Sequence, residues 1–72
     1  MNDIETKARK HLRKRLNQER WRWQIIGKVV DMKVYTDPDQ QNVFQYHVTF
    51  DNGFPRDFEV RVYAKSYSMW EI

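Results

Sequence analysis

His47 precedes Asp57 and Glu59 on the far side of a hairpin, so its imidazole is expected beside one of those carboxylates, the minimum arrangement for acid and base chemistry. No nucleophile, neighbouring second histidine or phosphate-binding glycine loop accompanies it. An exposed cross-strand polar pair contributing about 0.2 to 1 kcal/mol accounts for it more simply. His11 lies in a basic segment without ligand spacing around it. The chain has no cysteine, and its carboxylates are scattered, so no metal, cofactor or catalytic site is expected. A small-molecule cavity would have to be taken from an already small core.

A second chemically capable set is Lys10, Arg13, Lys14, Arg15, Arg20 and Arg22, interleaved with Trp21 and Trp23. Cations of this kind meet nucleic-acid phosphates while indoles stack on unpaired bases. The rival account is a solvated outer helix face with the tryptophans in a core or an interface. Charge is uneven in a way that both accounts allow. Residues 1–22 hold eight Lys or Arg against three Asp or Glu, whereas residues 23–72 hold five against seven, so the net +3 is carried by the N-terminal part.

The elements that position these residues follow from periodicity. Asn2 and Glu5 form a capping-box pattern, and Ile4, Ala8, Leu12 and Leu16 make a narrow apolar stripe, predicting a helix over about 3–16. Asn17 would end it in the left-handed conformation. From Arg20 the sequence alternates Arg-Trp-Arg-Trp-Gln-Ile, a period of two that places Trp21, Trp23 and Ile25 on one face. Further on, Val30, Met32 and Val34 hold the buried parity, so an inserted residue must flip the face, with Gly27 the easiest place for a bulge. One long strand over about 20–36 results. The segment 37–42 is a loop around Pro38.

The next strand covers about 43–50 with Phe44, Tyr46, Val48 and Phe50 inward. A two-residue turn at Asn52-Gly53 would pair each of these with the wrong face. A three-residue loop Asp51-Asn52-Gly53, with Gly53 left-handed, instead aligns Phe50 with Phe54, Tyr46 with Phe58 and Phe44 with Val60. A third strand then runs over about 54–72, with no Gly, Pro or Asn after Lys65 to turn it. Arg56 shares the inward parity with Phe54 and Phe58, which places it at the sheet's rim with its stem over apolar surface.

The expected architecture is therefore α+β, a single domain over 1–72 in which an N-terminal helix packs on a long, bulged three-stranded antiparallel meander. The capping pair Asn2 and Glu5, the parity flip around Gly27 and the Asp51-Asn52-Gly53 hairpin resemble the cystatin-like arrangement, in which a curved sheet wraps one helix. They also resemble designed proteins that place bulges in long strands to test curved sheets, although such designs usually carry Gly where Asn17 stands.

A domain of this size buries only about 60% of its unfolded surface, and with no disulfide or metal the favoured support is a second subunit. On this topology both outer strands outrun the middle one. The leading expectation is a non-catalytic interaction module that homodimerises through those overhanging ends, using Trp21, Trp23, Ile25, Tyr67, Met69, Trp70 and Ile72. The alternative is a small basic nucleic-acid-binding protein using the Lys/Arg-rich helix. Strand addition to another protein would use the same open edges. No apolar run is long enough for a membrane span and no signal-peptide pattern opens the chain, so a cytoplasmic location is expected.

Overall fold

The computed structural model describes residues 3–72. Helix α1 (Asp3–Gln18) is followed by a single-turn helix α2 (Arg20–Trp23) and four strands: β1 (Val29–Asp37), β2 (Gln40–Phe50), β3 (Arg56–Val62) and β4 (Tyr67–Glu71). The strands form one sheet in the order β1-β2-β3-β4, and every neighbouring pair is antiparallel. The class is α+β, with four strands where three were expected.

α1 covers one face of the sheet because its apolar residues recur every four positions. Ala8, Leu12 and Leu16 are buried against Phe44, Tyr46, Val48, Phe50, Phe58 and Val60, while Ile4, at the end of the stripe, stays 40% exposed. Full burial stabilises by about 1.5–3 kcal/mol for each large aliphatic or aromatic side chain, and these few carry most of the fold. No charged side chain is buried among the described residues. The polar tip inside the sandwich belongs to Tyr46, whose hydroxyl lies 3.3 Å from Glu5 Oε1. Burial first, and then the Glu5 carboxylate, raises its pKa well above the ordinary tyrosine range, so the phenol stays protonated.

The β2–β3 register is the one the hydrophobic parity demands: Tyr46 faces Phe58 and Phe44 faces Val60. Gly53 is left-handed at φ 95°, as the three-residue loop requires. Pairing stops at Val48 and Arg56, however, so Phe54 is left 88% exposed and Phe50 faces Val29 of β1 instead.

Five expectations are corrected. Arg20–Trp23 is helical, because Glu19 sits at helical spacing from its partners: it forms an ion pair with Arg15 and another with Arg22 at 3.6 Å. The left-handed terminator is Gln24 (φ 53°, ψ 47°), with Ile25 N–H bonded to Arg20 O at 2.9 Å and Gln24 N–H directed at Trp21 O, a Schellman closure. α1 itself runs through Asn17 to Gln18, and the Glu19 N–H still donates to Arg15 O at 2.8 Å. The Asn2 half of the capping pair lies outside the described residues.

The chain also reverses between Tyr63 and Ser66, where Tyr63 N–H donates to Ser66 O at 2.9 Å, so Tyr67–Glu71 returns along β3. Gln24 is the one non-glycine residue with positive φ among the described residues. The Ala64-Lys65 turn thus uses no left-handed residue and leaves no Gly or Asn signature to read. The 37–42 loop contracts to a turn at Pro38-Asp39, where Asp37 Oδ1 accepts the Asp39 N–H at 2.9 Å, and β2 starts at Gln40.

Finally, the extra residue of β1 is Val30 and not Gly27. Val29 faces Phe50 while Asp31 faces Thr49, so Val30 has no partner and turns outward, and Met32 returns to the core. Gly27 has a different task. At φ 87°, it lies where a Cβ would collide with Asp51 Oδ1 and the Asn52 backbone. That close approach lets Asp51 clasp Lys28, accepting its N–H on Oδ1 at 2.7 Å and donating its own N–H to Lys28 O at 2.9 Å.

Candidate functional site

The outer surface of α1 is basic. Lys7, Lys10, Arg13 and Lys14 are exposed, and none of them makes an ion pair among the described residues. The helix's carboxylates are engaged elsewhere. Glu5 holds Arg9 at 3.0 Å, and Glu19 holds Arg15 and Arg22. Of the cations singled out from sequence, Lys10, Arg13 and Lys14 thus remain available, whereas Arg15 and Arg22 are neutralised in place. Arg22 also lies 5.5 Å from the Trp23 ring. Arg20 is half-buried and donates to the Gly27 carbonyl, a contact that leaves its charge uncompensated.

The aromatic residues are dispersed. Trp21 is 77% exposed on α2, next to Arg20 and Arg22. Trp23 turns inward and meets Phe58 edge-on with centroids 6.0 Å apart, and Ile25 is buried. Tyr67 stacks on His11 at 4.3 Å, which joins β4 to α1. Met69 faces Val60 and packs on the core, while its neighbour Trp70 faces Glu59 on the opposite side of the sheet, with Arg61 5.1 Å from its ring. Ile72 is exposed beyond β4, its N–H bonded to Asp57 O. The overhanging ends that would have gathered these residues are not present among the described residues, since one is helical and the other is paired to β3.

On the uncovered face of the sheet His47 and Asp57 are register partners, with Nδ1 2.8 Å from Oδ1. Gln45 and Arg61 both donate to Glu59 at 3.2 Å. These are cross-strand polar pairs, and the hydrogen bond of His47 among the described residues is the one to Asp57. No cluster of three His, Asp or Glu able to hold a metal occurs among the described residues. No described helix is long and apolar enough to cross a membrane.

Two features escaped the sequence reading. Arg56 does reach the rim, but it forms a fork with Glu71 and donates to the Trp23 carbonyl, so it ties α2, β3 and β4 together. Donating to the Glu71 carboxylate raises the already high pKa of Arg56. Lys28 belongs to no predicted motif, yet the Gly27–Asp51 contact brings it beside Arg13 and Arg20 in one cleft. Local composition carries no signal for either, because each depends on a long-range approach. No family model, curated protein or solved structure matches the chain.

Proposed function

We propose that the protein is a non-catalytic nucleic-acid-binding module in which the α1–α2 surface holds the phosphate backbone and Trp21 stacks on an unpaired base. The carrying observation is that Lys10, Arg13 and Lys14 stand exposed and free of carboxylates on the element that leads into the 77% exposed Trp21. An indole so open contributes nothing to the core, whereas base stacking on such a ring stabilises by about 1–3 kcal/mol. The sheet, wrapped on one helix in the cystatin-like manner, serves as the rigid frame.

Fluorescence anisotropy of a labelled single-stranded oligothymidylate, measured across a salt series, tests this. Neutralising Lys10, Arg13 and Lys14 to Gln lowers the slope of log K against log salt by about 0.7 per lost phosphate contact. Unchanged binding by that triple variant at low salt would remove the reading.

Homodimerisation is the second reading, favoured by one observation. Ile26 (65% exposed) and Phe54 (88% exposed) flank an open cleft of about 310 Å³ between the end of α2 and the β2–β3 loop. Two copies meeting there would shelter both side chains. Light scattering at low concentration decides it, and a folded monomer at every concentration counts against it.

A further inference from the structure

We infer that the cleft between the C-terminal half of α1 and the start of β1 is a subsite for one phosphodiester of a nucleic-acid strand. It is lined by Arg13, Asn17, Arg20, Lys28 and Val29 and encloses about 310 Å³. This deepens the nucleic-acid reading and rests on it.

Three cations converge on this cleft and no carboxylate lines it. The Arg13 guanidinium has the Met32 sulfur as its neighbour, 3.9 Å away, and that is no counter-charge. Arg20 donates to the Gly27 carbonyl, which fixes its direction while leaving its remaining N–H groups for another acceptor. Lys28 is held by its backbone, through both bonds to Asp51, and the Asp51 carboxylate is occupied by the Lys28 N–H. Asn17 supplies an uncharged amide between the cations. Complementing the carbonyl end of α1 explains part of this gathering, but the helix dipole amounts to only about half an elementary charge. Three full charges exceed it.

Preorganisation is the second element of the argument. The three cations come from α1, α2 and the strand entry, and Lys28 is brought to the other two where Gly27 allows the chain to press against Asp51 and Asn52. A planar guanidinium fork anchored at one side, with a second guanidinium and an ammonium nearby, suits a tetrahedral oxyanion. Lys10 and Lys14, further along the exposed face of α1, and Trp21, adjacent to Arg20, suit the continuation of a polymeric anion. A diester within a strand is therefore favoured over an isolated phosphate.

The test uses the full chain, a labelled oligothymidylate of twenty nucleotides, and inorganic phosphate, with three variants: Lys28→Gln, Arg20→Gln and Arg20→Lys. Lys28→Gln and Arg20→Gln each should lower the salt slope by about 0.7 and weaken oligonucleotide binding several-fold, while Arg20→Lys recovers most of the charge-dependent part. Amide shifts at Asn17, Gly27 and Lys28 should follow oligonucleotide addition at concentrations where inorganic phosphate moves them little. Circular dichroism separates loss of fold from loss of contact, and Lys28→Gln, at an exposed side chain, keeps the test open if Arg20→Gln unfolds. If the Lys10, Arg13, Lys14 variant loses binding but Lys28→Gln and Arg20→Gln do not, the subsite is wrong and the broader function stands. If the parent chain does not bind the oligonucleotide, both fail. Saturation by phosphate alone, with no preference for the oligonucleotide, overturns the diester assignment.

Discussion

Arg56 and Glu71 meet side-on as a fork, with Nε 2.7 Å from Oε2 and the second contact, Nη2 to Oε1, at 2.5 Å. The same guanidinium donates to the carbonyl of Trp23, so a single side chain closes the junction of α2, β3 and β4. Neither partner is more than about one-third exposed. Arg56→Ala should therefore destabilise by about 1–2 kcal/mol in urea unfolding, more than a typical surface pair. Arg56→Lys should recover little of this, since an ammonium cannot make the fork and the carbonyl contact together.

Gly27 and Gly53 both have positive φ, but only Gly27 lacks room for a side chain. The nearest atom to a Cβ at Gly53 is Ile26 O, at 3.8 Å. Gly53→Ala should therefore carry the conformational cost alone, about 1 kcal/mol, while Gly27→Ala adds a collision with the Asp51-Asn52 turn and should lose at least twice that. Equal losses in chemical denaturation would mean that the close approach does not matter. The Gly27 variant should also weaken oligonucleotide binding, because it displaces Lys28.

His11 is stacked between α1 and β4, and desolvation, then Arg15, then Lys14, lower its pKa below the ordinary 6.5. The unfolded chain takes up this proton at a higher pH than the folded one, so the neutral ring's contribution to stability is complete above about pH 6.5. It is lost as pH falls through the folded value. The urea midpoint should be lower at pH 5.5 than at 7.5, and His11→Phe, which keeps a ring on Tyr67, should reduce that difference. An unchanged difference would assign the pH dependence to other groups.

Ala64 and Lys65 turn the β3–β4 hairpin without a left-handed residue, whereas the turns that match strand twist need one or two. Replacing them with Asn-Gly should stabilise the protein by about 0.5–1 kcal/mol and raise the thermal midpoint by several degrees.

Those two turn residues also explain why part of the fold was hidden in the sequence. The stripe of Ala8, Leu12 and Leu16 and the pairing of Tyr46 with Phe58 are legible because burial enforces one period and one face. The reversal after Val62 is not, since nothing in Tyr63 to Ser66 differs from strand chemistry. Arg20 to Trp23 misleads for another reason. Four alternating residues fit a period of two, and the ion pairs of Glu19 with residues on either side favour helix. The candidate site divides the same way: Lys10, Arg13 and Lys14 follow from composition, while Lys28 joins them only through a glycine contact made twenty-four residues along the chain at Asp51.

Arg9 donates to the Met32 carbonyl at 2.9 Å. Asp51 donates its backbone N–H to Lys28, and β2 polarity alternates from there, so Asp31, opposite Thr49, points its amide and carbonyl toward β2, and the next residue points away. The arginine therefore sits on the open flank of β1, where a stray strand would otherwise find an acceptor. At the far flank β4 offers only five residues. An occupied acceptor on one flank and a short strand on the other both disfavour the addition of a further strand to this sheet.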